Sequence, residues 1–287
     1  MKTGNRLLVK LLLVLGMVVM TTGPALADQI RIGYQRSWPA SSLTARIAAQ
    51  IIQSELDREV TLVPVAVAAM YKRVANGRLD AHLSAWLPTT HEEYYSNLWP
   101  QLVNLGPNLM GTRLGIAVPA YADVNSIPEL KERAGDFDHK IIGIDSGAGI
   151  NINTKKAIQA YDLGVHLVPS STAAMGAALK KAIDRHALIA VTGWTPLWIW
   201  QRFDLKLLDD PKGIYGTGDH VDTVASPALW NKAPAVFEFL QRFMLSTDAI
   251  NAMELQIRNG ATEDAVVALF VQNHPQKVAA WTHGLTR

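Results

Sequence analysis

No cysteine occurs among the 287 residues. That absence excludes disulfide frameworks, thiolate zinc sites, cysteine nucleophiles and lipid attachment through an N-terminal thioether. Charge is also sparse, at 18% of residues, and no stretch of Lys and Arg is dense enough to track a phosphate backbone, so nucleic acid is not an expected partner. Aromatic residues make up only 7%, yet the 8 tryptophans outnumber the 7 tyrosines and the 6 phenylalanines. What is plentiful is apolar: 49% hydrophobic residues are enough for a sizeable core in a folded chain.

The longest apolar run is near the start. Lys2, Arg6 and Lys10 precede the stretch Leu11–Met20, the breakers Thr21, Thr22, Gly23 and Pro24 follow, and Ala25-Leu26-Ala27 offers small residues at the two positions that signal peptidase reads. The expectation is a signal peptide over 1–27, cleaved before Asp28. A membrane-spanning helix needs roughly 20 apolar residues, and Lys10 interrupts this run. The mature chain then carries 24 Lys and Arg against 25 Asp and Glu, a net charge of −1. With no second apolar span, a soluble periplasmic protein is expected.

Along the mature chain the period of the apolar pattern alternates between 2 and 3.6. Gln29–Tyr34 reads as a strand, Leu43–Leu56 as a helix, Val60–Val67 as a strand, Met70–Asn76 as a helix stopped by Gly77, and Ala81–Trp86 as a strand. A second series repeats this order: strand 140–144, a glycine loop 145–149, helix 153–161, strand 165–169, helix 172–184 and strand 188–192. This β-α-β-α-β order predicts mainly parallel sheets with helices on both faces. Arg113–Pro119 and His220–Ser226 are strand-like and placed to cross between two lobes, and the chain from Pro234 onward is amphipathic and helical. The expected fold is therefore α/β and two-lobed, with a ligand cleft between lobes joined by two crossing strands. Residues 28–115 and 224–287 would form the first lobe and 116–223 the second. Such clefts are favoured places for small ligands.

Trp38, Trp86 and Trp194 terminate or follow predicted strands. A single tryptophan ordinarily fills a core. Three at equivalent strand ends face the crevice where ligands lie in open α/β sheets. Indole faces attract positive charge without asking for a hydrogen bond, which suits a quaternary ammonium group, a cation with no N–H to donate. The loop Gly143–Asn151 leads from a strand into a helix, so its free backbone N–H groups form an anion site; a structural glycine turn is compatible with that role. It lacks the third glycine of a dinucleotide loop and the lysine of a phosphate loop. His91, five residues after Trp86, is placed to donate a hydrogen bond to an anionic group in the same cleft.

Enzyme patterns fail on inspection. His91-Glu92-Glu93-Tyr94-Tyr95 has Tyr95 where a zinc metalloprotease needs its second histidine. Ser146 is preceded two positions earlier by Ile144 rather than glycine, so no nucleophile elbow forms. The remaining His, Asp and Glu are scattered without ligand spacing, and no catalytic residue, metal or cofactor is expected.

The segments GIDSGAGI (143–150), SAWLPTTHEEYY (84–95), VTGWTPLW (191–198) and DLKLLDDPKGIYG (204–216) resemble the glycine betaine and related quaternary-amine binding proteins of ABC importers, over nearly the whole mature chain. The resemblance implies the type II periplasmic-binding-protein fold and a box of three indoles around a trimethylammonium group: Trp38, Trp86 in the AWLP segment and Trp194 in the TGWTP segment. It also implies that the ligand carboxylate is held by the backbone N–H groups of Gly149 and Ile150 and by His91. Two positions depart from the pattern: Leu197 stands where many relatives have His, and Asn151 where Met is common. A choline binder of this kind is expected to offer a carboxylate beside the first Trp, whereas Trp38 is followed by Pro39 and Ala40. Asn151 is a candidate for a ligand hydroxyl or for a longer ligand such as carnitine. The function implied is a monomeric binding protein, not an enzyme, that takes glycine betaine or a close relative and hands it to an inner-membrane permease and its ATPase. The alternatives are a choline- or carnitine-specific binder and, in a different class, an enzyme acting on a quaternary amine.

Overall fold

The computed structural model describes residues 29–285. The expected signal segment 1–27 lies outside the described residues. The alternation in Ile30–Tyr34 makes β1, with Ile30 and Ile32 fully buried. Trp38 then caps the next helix in an extended conformation (φ −109°, ψ 103°), and Pro39 opens α1 (Pro39–Leu56), where a missing N–H costs no helical bond. Leu43, Ile47, Ile51 and Leu56 form the buried stripe of α1. There follow β2 (Val60–Pro64), α2 (Val67–Ala75), β3 (Ala81–Leu87), the short α3 (Glu92–Ser96) and β4 (Val103–Leu109). Every residue of β3 is buried, as befits a central strand.

The second run comprises β5 (Arg113–Pro119), β6 (Lys140–Ile142), α4 (Gly149–Tyr161), β7 (His166–Val168), α5 (Thr172–Ile183), β8 (Val191–Thr195), α6 (Ile199–Arg202) and β9 (Leu205–Leu207). The chain ends in β10 (His220–Ala225), α7 (Ala228–Lys232), α8 (Pro234–Arg242), α9 (Thr247–Arg258), α10 (Glu263–Asn273) and α11 (Pro275–Thr282). α1, α8 and α10 pack with one another or on the first sheet, and α9 packs on α1 and α10, so the C-terminal helices return to the first lobe.

Two five-stranded sheets result, ordered β2-β1-β3-β10-β4 and β7-β6-β8-β5-β9. In each, three strands are parallel and a strand lying outside the β-α-β-α-β series enters antiparallel in fourth place, β10 in the first sheet and β5 in the second. The sheets are thus mixed rather than mainly parallel. The crossing expected of 113–119 and 220–226 is also made differently. Among the described residues β5 pairs with β8 and β9, and β10 with β3 and β4, so neither strand is shared between the two sheets. The chain passes between sheets in the irregular segments 110–112 and 208–219, which are tied to each other by the Thr112 hydroxyl on the Asp219 carbonyl.

A further link between the lobes lies outside the cleft. Glu254 of α9 accepts the backbone N–H of Trp198 at 2.7 Å, and the Arg258 guanidinium lies 3.8 Å from the centre of the Trp198 ring. That ring also packs on Gly176 of α5, where a Cβ would approach it to 2.6 Å. Burial, partly offset by the Trp198 N–H and by Arg258, pushes the Glu254 carboxyl up from 4.5 to about 8. A carboxyl raised by folding stabilises fully below its unfolded value, and that contribution is lost as pH rises through the folded one. Thermal unfolding between pH 5 and pH 9 is therefore expected to show a fall in Tm toward pH 8 that Glu254→Gln removes; superimposable profiles for the two chains would refute the assignment.

Candidate functional site

The cleft between the sheets holds a cavity walled from both lobes and open to solvent on one side. Trp38, Trp86 and Trp194 all line it and are buried. Trp38 is delivered by the cap of α1, Trp86 by the end of β3, and Trp194 by the end of β8, opposite Leu114 of β5. Trp86 and Trp194 hold equivalent positions, each two residues before a cis proline, Pro88 and Pro196. The Trp200 indole N–H donates to the Trp194 carbonyl at 2.7 Å and braces that strand end.

His91 is buried at the start of α3, with its ring stacked near Trp38 at 5.9 Å and 29°. Its Nδ1 accepts the backbone N–H of Trp86 at 3.2 Å, with the Tyr71 hydroxyl at 3.3 Å. Desolvation first, and the neighbouring His82 second, lower it to about 3, so the imidazole is neutral. An Nδ1 that accepts from a backbone N–H places the ring proton on Nε2, which makes His91 a neutral donor. Asp219 fixes this turn by accepting the N–H groups of Thr89 and Thr90, both at 2.9 Å.

Opposite stands the N-terminus of α4. The helix begins at Gly149, earlier than its apolar pattern predicts, and this places the N–H groups of Gly149 and Ile150 at the cavity wall. The first N–H groups of a helix have no intrahelical carbonyl to bond and carry the positive end of its dipole. Gly149 touches the other lobe directly. A Cβ there would overlap the Thr90 carbonyl oxygen and reach His91 Cδ2 at 2.9 Å. Around this contact the Tyr94 hydroxyl donates to the Gly147 carbonyl at 2.7 Å, Lys156 pairs with Glu93 at 2.8 Å, and the Asp145 carboxylate accepts from Ser37 Oγ at 2.7 Å and Trp38 Nε1 at 3.2 Å.

Six of the seven expected site residues thus converge. Asn151 does not join them. Its Oδ1 accepts the Ile144 N–H at 3.2 Å and its Nδ2 donates to the carbonyls of Ile144 and Asp145 at 2.9 and 3.0 Å, so the amide braces the glycine loop and is off the cavity wall. Both amide donors and one oxygen lone pair serve the backbone, and the side chain does not reach the cavity. Leu197 is fully buried and also off the wall. The lobe-spanning roles of Asp145, Ser37 and Tyr94 escaped sequence reasoning, although Asp145 lies inside the glycine loop and Tyr94 three residues after His91.

A family model described as the substrate binding domain of an ABC-type glycine betaine transport system matches residues 28–273. The chain belongs to that family. Family members are extracytoplasmic binding proteins of transport systems. The lactococcal OpuAC structure, closed and complexed with glycine betaine, is 34% identical with a TM-score of 0.84, covering 88% of this chain and 99% of that one. The glycine betaine, L-proline-binding protein ProX from Borrelia burgdorferi is 32% identical with a TM-score of 0.84, over 88% and 96% of the two chains. The glycine betaine/carnitine transport binding protein GbuC of Listeria monocytogenes is 36% identical over 160 residues, 55% of this chain; the match spans 53% of GbuC, about half its length.

Gly149→Ala isolates the backbone contact. Alanine suits a first helical turn in the ligand-free chain, so the unfolding temperature should stay close to that of the parent, whereas the added methyl holds the lobes apart. Calorimetric titration is expected to show affinity reduced roughly tenfold or more; an unchanged Kd would mean that the cleft does not close on this contact.

Proposed function

We propose that this chain is the periplasmic receptor of an ABC importer, closing on glycine betaine or a close quaternary ammonium relative and presenting the closed form to a permease and its ATPase. The observation that carries this reading is the meeting, in one cavity shared by both lobes, of three indoles with a neutral histidine donor and a helix N-terminus. The indoles suit a cation that offers no proton. Bare N–H groups and His91 Nε2–H suit a carboxylate, and together they describe a zwitterion with its charges a few bonds apart. Trp38, Trp86 and Trp194 would surround the ammonium group, and Gly149, Ile150 and His91 would hold the carboxylate. The names of the relatives, which mention glycine betaine, carnitine and proline, support the same class. Binding and release need no group that makes or breaks bonds, so the ligand leaves unchanged.

Each lobe supplies part of the site, and a ligand touching both favours the closed form by its extra affinity for that form. One observation favours a second reading, choline: a carboxylate does approach Trp38, from Asp145 across the cleft rather than from the residues after Trp38. It is off the cavity wall and already bonded to Ser37 and Trp38, so the betaine reading stands first.

Calorimetry of the mature chain, refolded to strip carried-over ligand, is expected to show tight binding of glycine betaine and weak binding of choline. Choline preference would overturn the account of the anionic end, and turnover of the ligand seen by mass spectrometry would replace the receptor with an enzyme. Trp86→Ala and Trp194→Ala should each weaken binding by about 1–3 kcal/mol, roughly 5- to 150-fold, through lost cation–π contact and apolar burial. Unchanged affinity in both would sink the aromatic box. Export is expected to leave Asp28 as the first residue, which N-terminal sequencing of protein from a periplasmic extract checks.

A further inference from the structure

The glycine loop carries one carboxylate to which the ligand gives no task. Asp145 Oδ2 reaches across the cleft to Ser37 Oγ and to Trp38 Nε1, at 2.7 and 3.2 Å. Its own backbone is held from below: the Asp145 carbonyl accepts from Ala148 N at 2.8 Å and from Asn151 Nδ2 at 3.0 Å. Asn151 also takes both polar groups of the Ile144 backbone and is fully buried. A chain of contacts therefore runs from α4 through Asn151 to Asp145, then over to the Trp38 indole and its stacked neighbour His91. Trp38 and His91 face the cavity, whereas Asp145 and Asn151 do not.

We infer that Asp145 is a positioning residue that fixes the Trp38 indole from the opposite lobe, so that this part of the aromatic wall takes its binding geometry only on closure, with Asn151 holding Asp145 in place. A buried indole N–H without a partner is costly, and an indole bonded at Nε1 has lost the freedom to rotate away from its neighbour. In the open form the donor and the acceptor are on separate lobes and the N–H turns to water. Closure thus does two things at once: it forms two hydrogen bonds between lobes and it orders a ring that the cation needs. The inference rests on the quaternary-ammonium reading of the cavity for its effect on affinity, and on geometry alone for its effect on closure.

Two measurements test it, with glycine betaine as the probe. In stopped-flow binding, Asp145→Ala is expected to raise koff roughly tenfold with kon nearly unchanged, because the ligand meets the open form before the contact exists. Asp145→Asn keeps an oxygen that accepts both bonds and is expected to recover most of the loss. Asn151→Ala should reproduce part of the Asp145→Ala effect and add little to it in the double variant. A loss carried by kon, or an Asn variant as weak as the Ala variant, would overturn positioning through these hydrogen bonds.

The second measurement does not depend on the ligand. The chain has no cysteine of its own, so labels at the exposed Arg73→Cys on α2 and Lys155→Cys on α4, one on each lobe, report the distance between lobes without background. Asp145→Ala is expected to reduce the share of short distances at every ligand concentration, including none, while Asp145→Asn stays near the parent. Identical distance distributions in parent and Asp145→Ala would overturn the inference. A parent chain that binds no quaternary amine would overturn the betaine reading, and the distances would still decide whether Asp145 links the lobes.

Discussion

The close approach of α4 to the Thr90–His91 turn is the constraint on which the cleft depends. At that point the two lobes meet without any side chain between them, because a Cβ on Gly149 would overlap the Thr90 carbonyl. Only glycine lets a helix N-terminus come so near a neighbouring backbone, and only such nearness sets bare N–H groups beside the His91 ring. The rest of the cavity is arranged around this contact. Asp219 holds the Thr89–Thr90 backbone from one side, and Asn151 holds the glycine loop from the other.

The two lobes solve the same problem with the same topology. Their strand orders correspond place for place, with β1 matched by β6, β3 by β8 and the antiparallel intruder β10 by β5. Corresponding positions carry complementary chemistry. The ends of β3 and β8 both present an indole, Trp86 and Trp194. The helix that follows β1 starts behind Trp38, whereas the helix that follows β6 starts with bare glycine, so one lobe offers a ring where the other offers N–H groups. A cleft built this way has an aromatic part and a donor part facing each other, which is the polarity a zwitterion requires.

Neutrality is as important here as charge. His91 is kept uncharged by burial and donates from Nε2, so the donor part of the cleft adds no positive charge beside the indoles. Lobe-spanning polar contacts are unequal in the same respect. The Glu93–Lys156 pair is half exposed at both ends and contributes little in water, while the bonds of Asp145 to Ser37 and Trp38 and of Tyr94 to Gly147 link groups at or beside the cavity.

Both strand–helix series, the tryptophans at strand ends and the glycine loop were legible in the chain because each is a local pattern: an apolar period, a breaker, a cap. β4 was not, since Gly106 and Pro107 interrupt its alternation and it exists as an edge strand only because β10 pairs along it. The sequence by itself therefore determined the kind of each element, the exclusion of thiol chemistry and the residue types that could meet a quaternary cation. Tertiary structure alone decided that β10 enters the first sheet, that Asn151 serves the loop rather than the ligand, and that the carboxylate beside Trp38 comes from Asp145, 107 residues away. The physical reason is that local periodicity records which face of an element is buried. The partner it meets across a cleft depends on where two separately folded sheets come to rest, and no short stretch of chain carries that information.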